Sequence, residues 1–192
     1  SLSKESKRII ARYEKSVIRT ITSVDELIAD VNVRMKTIRT YGNTSYALCS
    51  EEKRDGAYAF VRHTRDDIGF MFDQKIERIR QYIKEIEDGI EMLQTSNRIK
   101  SLITDFEKTV IIESLVRCIN YLRASQSMLD GSRVMLFNYT ETILQSIGKG
   151  STYLTYRYDT PTKKMYTLIG PQVKNTSERL AVDDLNSEEN DE

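Results

Sequence analysis

His63 and Asp67 stand four residues apart, a spacing that puts two side chains on one face of a helix and would suit half of a metal site or an acid–base pair. His63 is the only histidine, so metal sites built from several histidines and catalytic schemes needing two are excluded. A helix-surface histidine beside a carboxylate is the ordinary reading of such a pair. Gly148-Lys149-Gly150-Ser151 matches part of a phosphate loop, but the upstream glycine is missing and the stretch follows a predicted helix instead of preceding one. Asp66-Asp67 and Asp183-Asp184 are adjacent pairs, which a helix would point apart into solvent. Cys49 and Cys118 have neither CxxC nor zinc-ligand spacing and read as free thiols of a reducing compartment. No catalytic residue, metal ligand or cofactor is therefore predicted, and the function classes left are those that work by contact.

The residues best placed for contact lie near the C-terminus. Tyr153 to Tyr158 and Met165 to Ile169 are rich in strand-forming side chains, and Thr160-Pro161-Thr162-Lys163 between them supplies a turn with proline at its first central position. In that register Tyr158 faces Met165 and Leu154 faces Ile169, with Tyr156 between them, all on one side of a ribbon. Tyr153 and Tyr166 fall on the other side. An isolated two-stranded ribbon is marginal in water, so this one must cap its own chain or add a strand to a partner. Tyr153, Leu154, Tyr156, Tyr158, Met165, Tyr166 and Ile169 form the candidate partner-binding set.

Long helices must position that hairpin. Ile10, Val17, Ile21, Val24, Ile28, Val31, Met35 and Ile38 recur in steps of three and four, the seam of a coiled-coil-like helix over about residues 3–41. The seam keeps its phase through Ser23-Val24-Asp25-Glu26, which has the form of a capping box, so one continuous helix is expected. Tyr41-Gly42-Asn43 is a stop, and a connector is expected as far as Asp55-Gly56. The period returns with Phe72, Ile76, Ile79, Ile83, Ile86, Ile90 and Leu93, giving a second helix over about 64–102. Thr104-Asp105-Phe106-Glu107 is a stronger capping box and opens a third helix over 104–147. Counting that helix's seam from Ile112 and Ile119 places Gln126, Arg133 and Thr140 at core positions, a candidate buried polar core, and predicts a break, kink or change of partner near Gly131.

The fold class expected is mainly α: an elongated antiparallel bundle of three long helices, each a rod of about 60 Å, over residues 1–148. A β-hairpin follows over 151–170 and a disordered acidic tail over 175–192. Ile18, Leu27 and Val33 lie off the seam of the first helix and are the candidate oligomer contacts.

The charge balance, 29 basic against 29 acidic residues, favours neither nucleic acid nor an anionic surface as partner. The charges are unevenly placed, with a basic first helix and an acidic C-terminus. No signal sequence or membrane-spanning run stands out, so a soluble cytoplasmic protein is expected. The leading expectation is a non-enzymatic structural or scaffolding protein that self-associates and bridges partners in a larger assembly. The alternatives are a sensory or ligand-binding bundle, whose pocket Gln126, Arg133 and Thr140 would line, and a membrane-surface protein using the basic first helix.

Overall fold

A computed structural model describes residues 2–148; the hairpin and the acidic tail expected from the sequence lie outside the described residues. These residues form four helices, α1 (Lys4–Gly42), α2 (Glu51–Thr95), α3 (Asn97–Lys100) and α4 (Asp105–Gly148), and no strand is found among them. Two compact units divide the chain. The first takes residues 2–25 and 76–127 and the second takes 26–75 and 128–148, so each receives part of α1, α2 and α4.

In the first unit, Ile10, Val17 and Ile21 of α1 are buried, as are Ile79 and Ile86 of α2 and Ile111, Leu115 and Leu122 of α4. Each such side chain contributes about 1.5–3 kcal/mol when fully removed from water. Chain direction follows from the cross-links between helices. Ser6 and Glu14 of α1 meet Glu107 and Ser114 of α4, so these two helices run parallel. Tyr13 reaches Gly89, while Val17, one turn further on, shares a cleft with Tyr82 and Ile86, so α2 runs the opposite way.

Glu107 organises the start of this unit. Thr104 caps α4 by accepting from the Glu107 N–H at 3.1 Å, and Glu107 Oε1 accepts in return from the Thr104 N–H at 3.3 Å, closing the capping box. Its other oxygen accepts from the Ser3 N–H at 2.9 Å and the Ser6 hydroxyl at 2.5 Å. Ser3 itself caps α1, accepting from the Ser6 N–H at 3.2 Å. One carboxylate thus serves two helix N-termini, and the hydrogen bonds from Ser6 and Ser3 hold its pKa down at about 2.

The second unit repeats the antiparallel relation. Arg65 and Asp73 of α2 pair with Glu141 and Arg133 of α4 in opposite order along the chain. Its core contains Val31, Met35 and Ile38 of α1, Val61, Ile68 and Phe72 of α2, and Leu129, Leu136, Tyr139 and Ile143 of α4. The α1–α2 loop is closed by Tyr46, whose ring is buried and whose hydroxyl donates to the Tyr41 carbonyl at 3.1 Å.

Three expectations change. First, α2 begins at Glu51, before the expected connector ends, and runs through Gly56. Ser50 caps it, accepting from the Lys53 N–H at 3.2 Å, with Glu51 and Glu52 in the first turn. Burial of Ala57 and Val61 then carries the helix past the glycine. Second, α2 stops at Thr95 and does not reach 102; Ser96 caps the short α3 by accepting from the Ile99 N–H. Third, α4 is unbroken from Asp105 to Gly148. Its buried line is Ile111, Leu115, Cys118, Leu122, Ser125, Leu129, Ser132, Leu136, Tyr139 and Ile143, which keeps steps of three and four straight past Gly131. Two small serines occupy core positions there, which an apolar count skips.

Candidate functional site

That phase decides where the predicted polar core falls. Gln126 and Arg133 each sit one residue beyond a core serine and are only half-buried, whereas Thr140 is buried and donates to the Leu136 carbonyl at 2.9 Å within its own helix. Gln126 belongs to the first unit and the other two to the second, and no common polar core forms from the three within either unit.

Arg133 and Thr140 instead line a cleft of about 230 Å³ in the second unit, between α1, α2 and α4. Its buried lining is mostly apolar, formed by Met35, Ile68, Phe72 and Leu136 with Thr140 beside them. Gly69 adds no side chain to the wall, and a Cβ there would come only to 4.0 Å from Arg133 Nη2. Two aromatic rings also line the cleft without being buried: Phe70 is 62% exposed and Phe137 46%. Val134, one turn before Phe137 on α4, extends the exposed apolar surface.

Both cationic side chains of this cleft are held in place. Arg133 pairs with Asp73: its Nη2 donates to Oδ2 at 3.3 Å, while its Nε lies 2.8 Å from Oδ1 as an ion-pair contact without hydrogen-bond alignment. Arg65 donates to Glu141 Oε2 at 2.7 Å, approaches Asp66 at 3.4 Å, and lays its guanidinium 4.7 Å from the centre of the Phe137 ring. The ion pairs are partly solvated, so each contributes about 0–1 kcal/mol to stability. Their larger effect is positional, since they hold Arg65 against the Phe137 ring and leave neither arginine without a carboxylate.

Small-molecule sites usually enclose about 300–1,000 Å³. This cleft is smaller, of a size to take one or two side chains. Exposed aromatics and ordered arginines around an apolar pocket have the composition of a protein-contact hot spot.

The remaining predicted residues are dispersed. In the first unit Ile18 is half-buried. In the second, Leu27 is buried in the core and Val33 is 62% exposed, so only Val33 of these three offers an open contact. His63 and Asp67 are both exposed on α2, with no hydrogen bond between them among those the described residues make. Cys118 is buried in the first unit and Cys49 half-exposed in the second. No group of three or more His, Cys, Asp or Glu side chains is placed to hold a metal among the described residues. A second cleft, in the first unit, is edged by Arg12, Tyr13, Ser16, Tyr82 and Glu85 and lacks an exposed aromatic pair. The hairpin set, Tyr153 to Ile169, lies outside the described residues.

Phe70, Phe137, Arg65 and Asp73 were not singled out from sequence. Scattered exposed apolar residues are normal on a protein surface, and only the packing of α2 on α4 brings these together.

Comparison with family models, with curated proteins and with solved structures gives no match. None of the helices among the described residues is long and apolar enough to cross a membrane.

Proposed function

We propose that this chain is a non-enzymatic helical scaffold that acts by protein–protein contact, with the Phe70–Phe137 face of the second unit as its contact surface and a second copy of the chain as its first partner. The observation that carries this reading is the pair of aromatic rings left open beside an apolar cleft while Arg65 and Arg133 are locked around them. A core position would have buried both rings; a purely solvated helix face would carry polar residues there. The size of the cleft favours a protein side chain over a small ligand as occupant.

Sedimentation of the full chain over a wide concentration range tests the proposal. The expected result is a concentration-dependent rise in mass that persists in high salt, because the surface is apolar and its charges are already paired. A single-chain mass at every concentration contradicts it.

A further inference from the structure

We propose that the end of the first unit where α3 turns into α4 is a membrane-contacting tip, which presses Leu102 and Phe106 into the surface of a bilayer carrying anionic lipids. It uses no residue of the Phe70–Phe137 cleft, which belongs to the second unit, so the two readings stand or fall separately.

The fold gathers this end from three helices. Glu107 joins the first turn of α1 to the first turn of α4, and α2, running opposite to α1, delivers its last turn there and continues through Ser96 and α3. The Leu102 and Ile103 N–H groups both donate to the Ile99 carbonyl, at 2.9 and 3.2 Å, which closes a tight turn before α4. Ile103 is buried and anchors that turn, whereas Leu102 is 61% exposed and Phe106, in the first turn of α4, is 64% exposed. Two large apolar side chains therefore stand out from the end of the unit without helping to fold it.

Charge selects what they meet. Residues 3–8 and 96–108 hold six basic and three acidic side chains, 6 − 3 = +3, in a chain balanced at 29 and 29. The three carboxylates are already engaged: Glu5 with Arg8, the fully exposed Asp105 with Lys108 at 3.8 Å, and Glu107 with the donors of Ser3 and Ser6. Lys4, Arg98 and Lys100 are exposed and make no ion pair among the described residues. Each basic residue near an anionic leaflet strengthens attraction about fivefold. Protruding apolar side chains enter the boundary of the acyl chains without needing a matching pocket, and long basic stems let their charges stay among the headgroups. The Phe70–Phe137 face differs on this point, because both its arginines already have carboxylates.

The chain contains no tryptophan, so Phe106→Trp places a single fluorescent reporter at the tip. The full chain carrying it is titrated with phosphatidylcholine vesicles, with and without phosphatidylserine, and co-sedimentation of the parent chain with the same vesicles checks the ranking without the reporter. The expected result is emission at shorter wavelength on the phosphatidylserine vesicles, with binding at least about tenfold tighter than on phosphatidylcholine alone. Leu102→Ser should weaken that binding at least about fivefold, and Lys4→Gln, Arg98→Gln and Lys100→Gln together at least about tenfold, with helicity unchanged by circular dichroism. No binding to phosphatidylserine vesicles, equal binding to both kinds, or binding that survives these substitutions overturns the proposal. An emission shift that appears without lipid as the mass of the chain rises assigns this end to a chain–chain contact and overturns it as well.

Discussion

The Ser6 hydroxyl donates to Glu107 Oε2 at 2.5 Å, joining the first turn of α1 to the first turn of α4 through a residue 101 positions away. Because the same carboxylate also closes its own capping box and accepts from the Ser3 N–H, it answers unpaired donors at two helix starts. Glu107→Ala leaves these donors without their acceptor and is expected to destabilise the fold by about 1–3 kcal/mol. Ser6→Ala, which removes one donor and leaves the others, is expected to cost about half as much. Chemical denaturation of both variants measures the difference.

Acid should act on the same contact. The folded chain holds Glu107 at about 2, below its ordinary 4.5, so folding favours the ionised form. Its stabilisation is fully present above about pH 4.5 and is lost as pH falls through the folded value near 2. Urea midpoints measured across that window should fall with acid in the parent chain and fall less in Glu107→Gln. An equal fall in both would assign the acid sensitivity to other carboxylates.

Three helix glycines separate propensity from packing. A Cβ at Gly56 or Gly131 meets nothing within 4 Å, whereas at Gly89 it would stand 2.6 Å from the Tyr13 hydroxyl oxygen. Gly56→Ala and Gly131→Ala are expected to stabilise by about 0.5–1 kcal/mol each, the helix preference of alanine over glycine. Gly89→Ala should gain less, because the Tyr13 ring must swing aside, and should recover the full gain when combined with Tyr13→Ala. Thermal or urea melts of the four variants distinguish the cases.

Much of the scaffold is legible in the sequence. The α1 seam from Ile10 to Ile38 is buried throughout, and Thr104–Glu107 forms the capping box that its spacing implies. Errors arose where small or polar residues take structural positions. Ser50 followed by Glu51 and Glu52 is a helix-start signal that a reading based on Asp55-Gly56 passes over, and the tertiary packing of Ala57 and Val61 overrides the low local propensity of that pair. Ser125 and Ser132 hid the phase of α4 and moved Gln126 and Arg133 into a core they only flank. The cleft was legible only through Arg133 and Thr140. Its aromatic walls depend on α2 and α4 meeting side by side, a relation between residues more than sixty positions apart, as in Phe70 and Phe137, which no local spacing records.

Phe70 and Phe72 should divide structure from contact. Phe72 is fully buried and Phe70 largely exposed, two residues apart on one helix. Phe72→Ala is expected to cost about 3–5 kcal/mol, and Phe70→Ala no more than about 0.5 kcal/mol. Denaturation midpoints check both, and a large loss for Phe70→Ala would mean that its ring supports the fold rather than a partner.

The central claim, that the Phe70–Phe137 face is the contact surface, is tested most directly by sedimentation equilibrium of the full chain carrying Phe70→Ser and Phe137→Ser, with helicity followed by circular dichroism. The expected result is helicity within error of the parent and self-association weakened at least tenfold, equivalent to about 1.4 kcal/mol or more of contact energy. Association as tight as the parent's, in a variant that keeps its helicity, would contradict it.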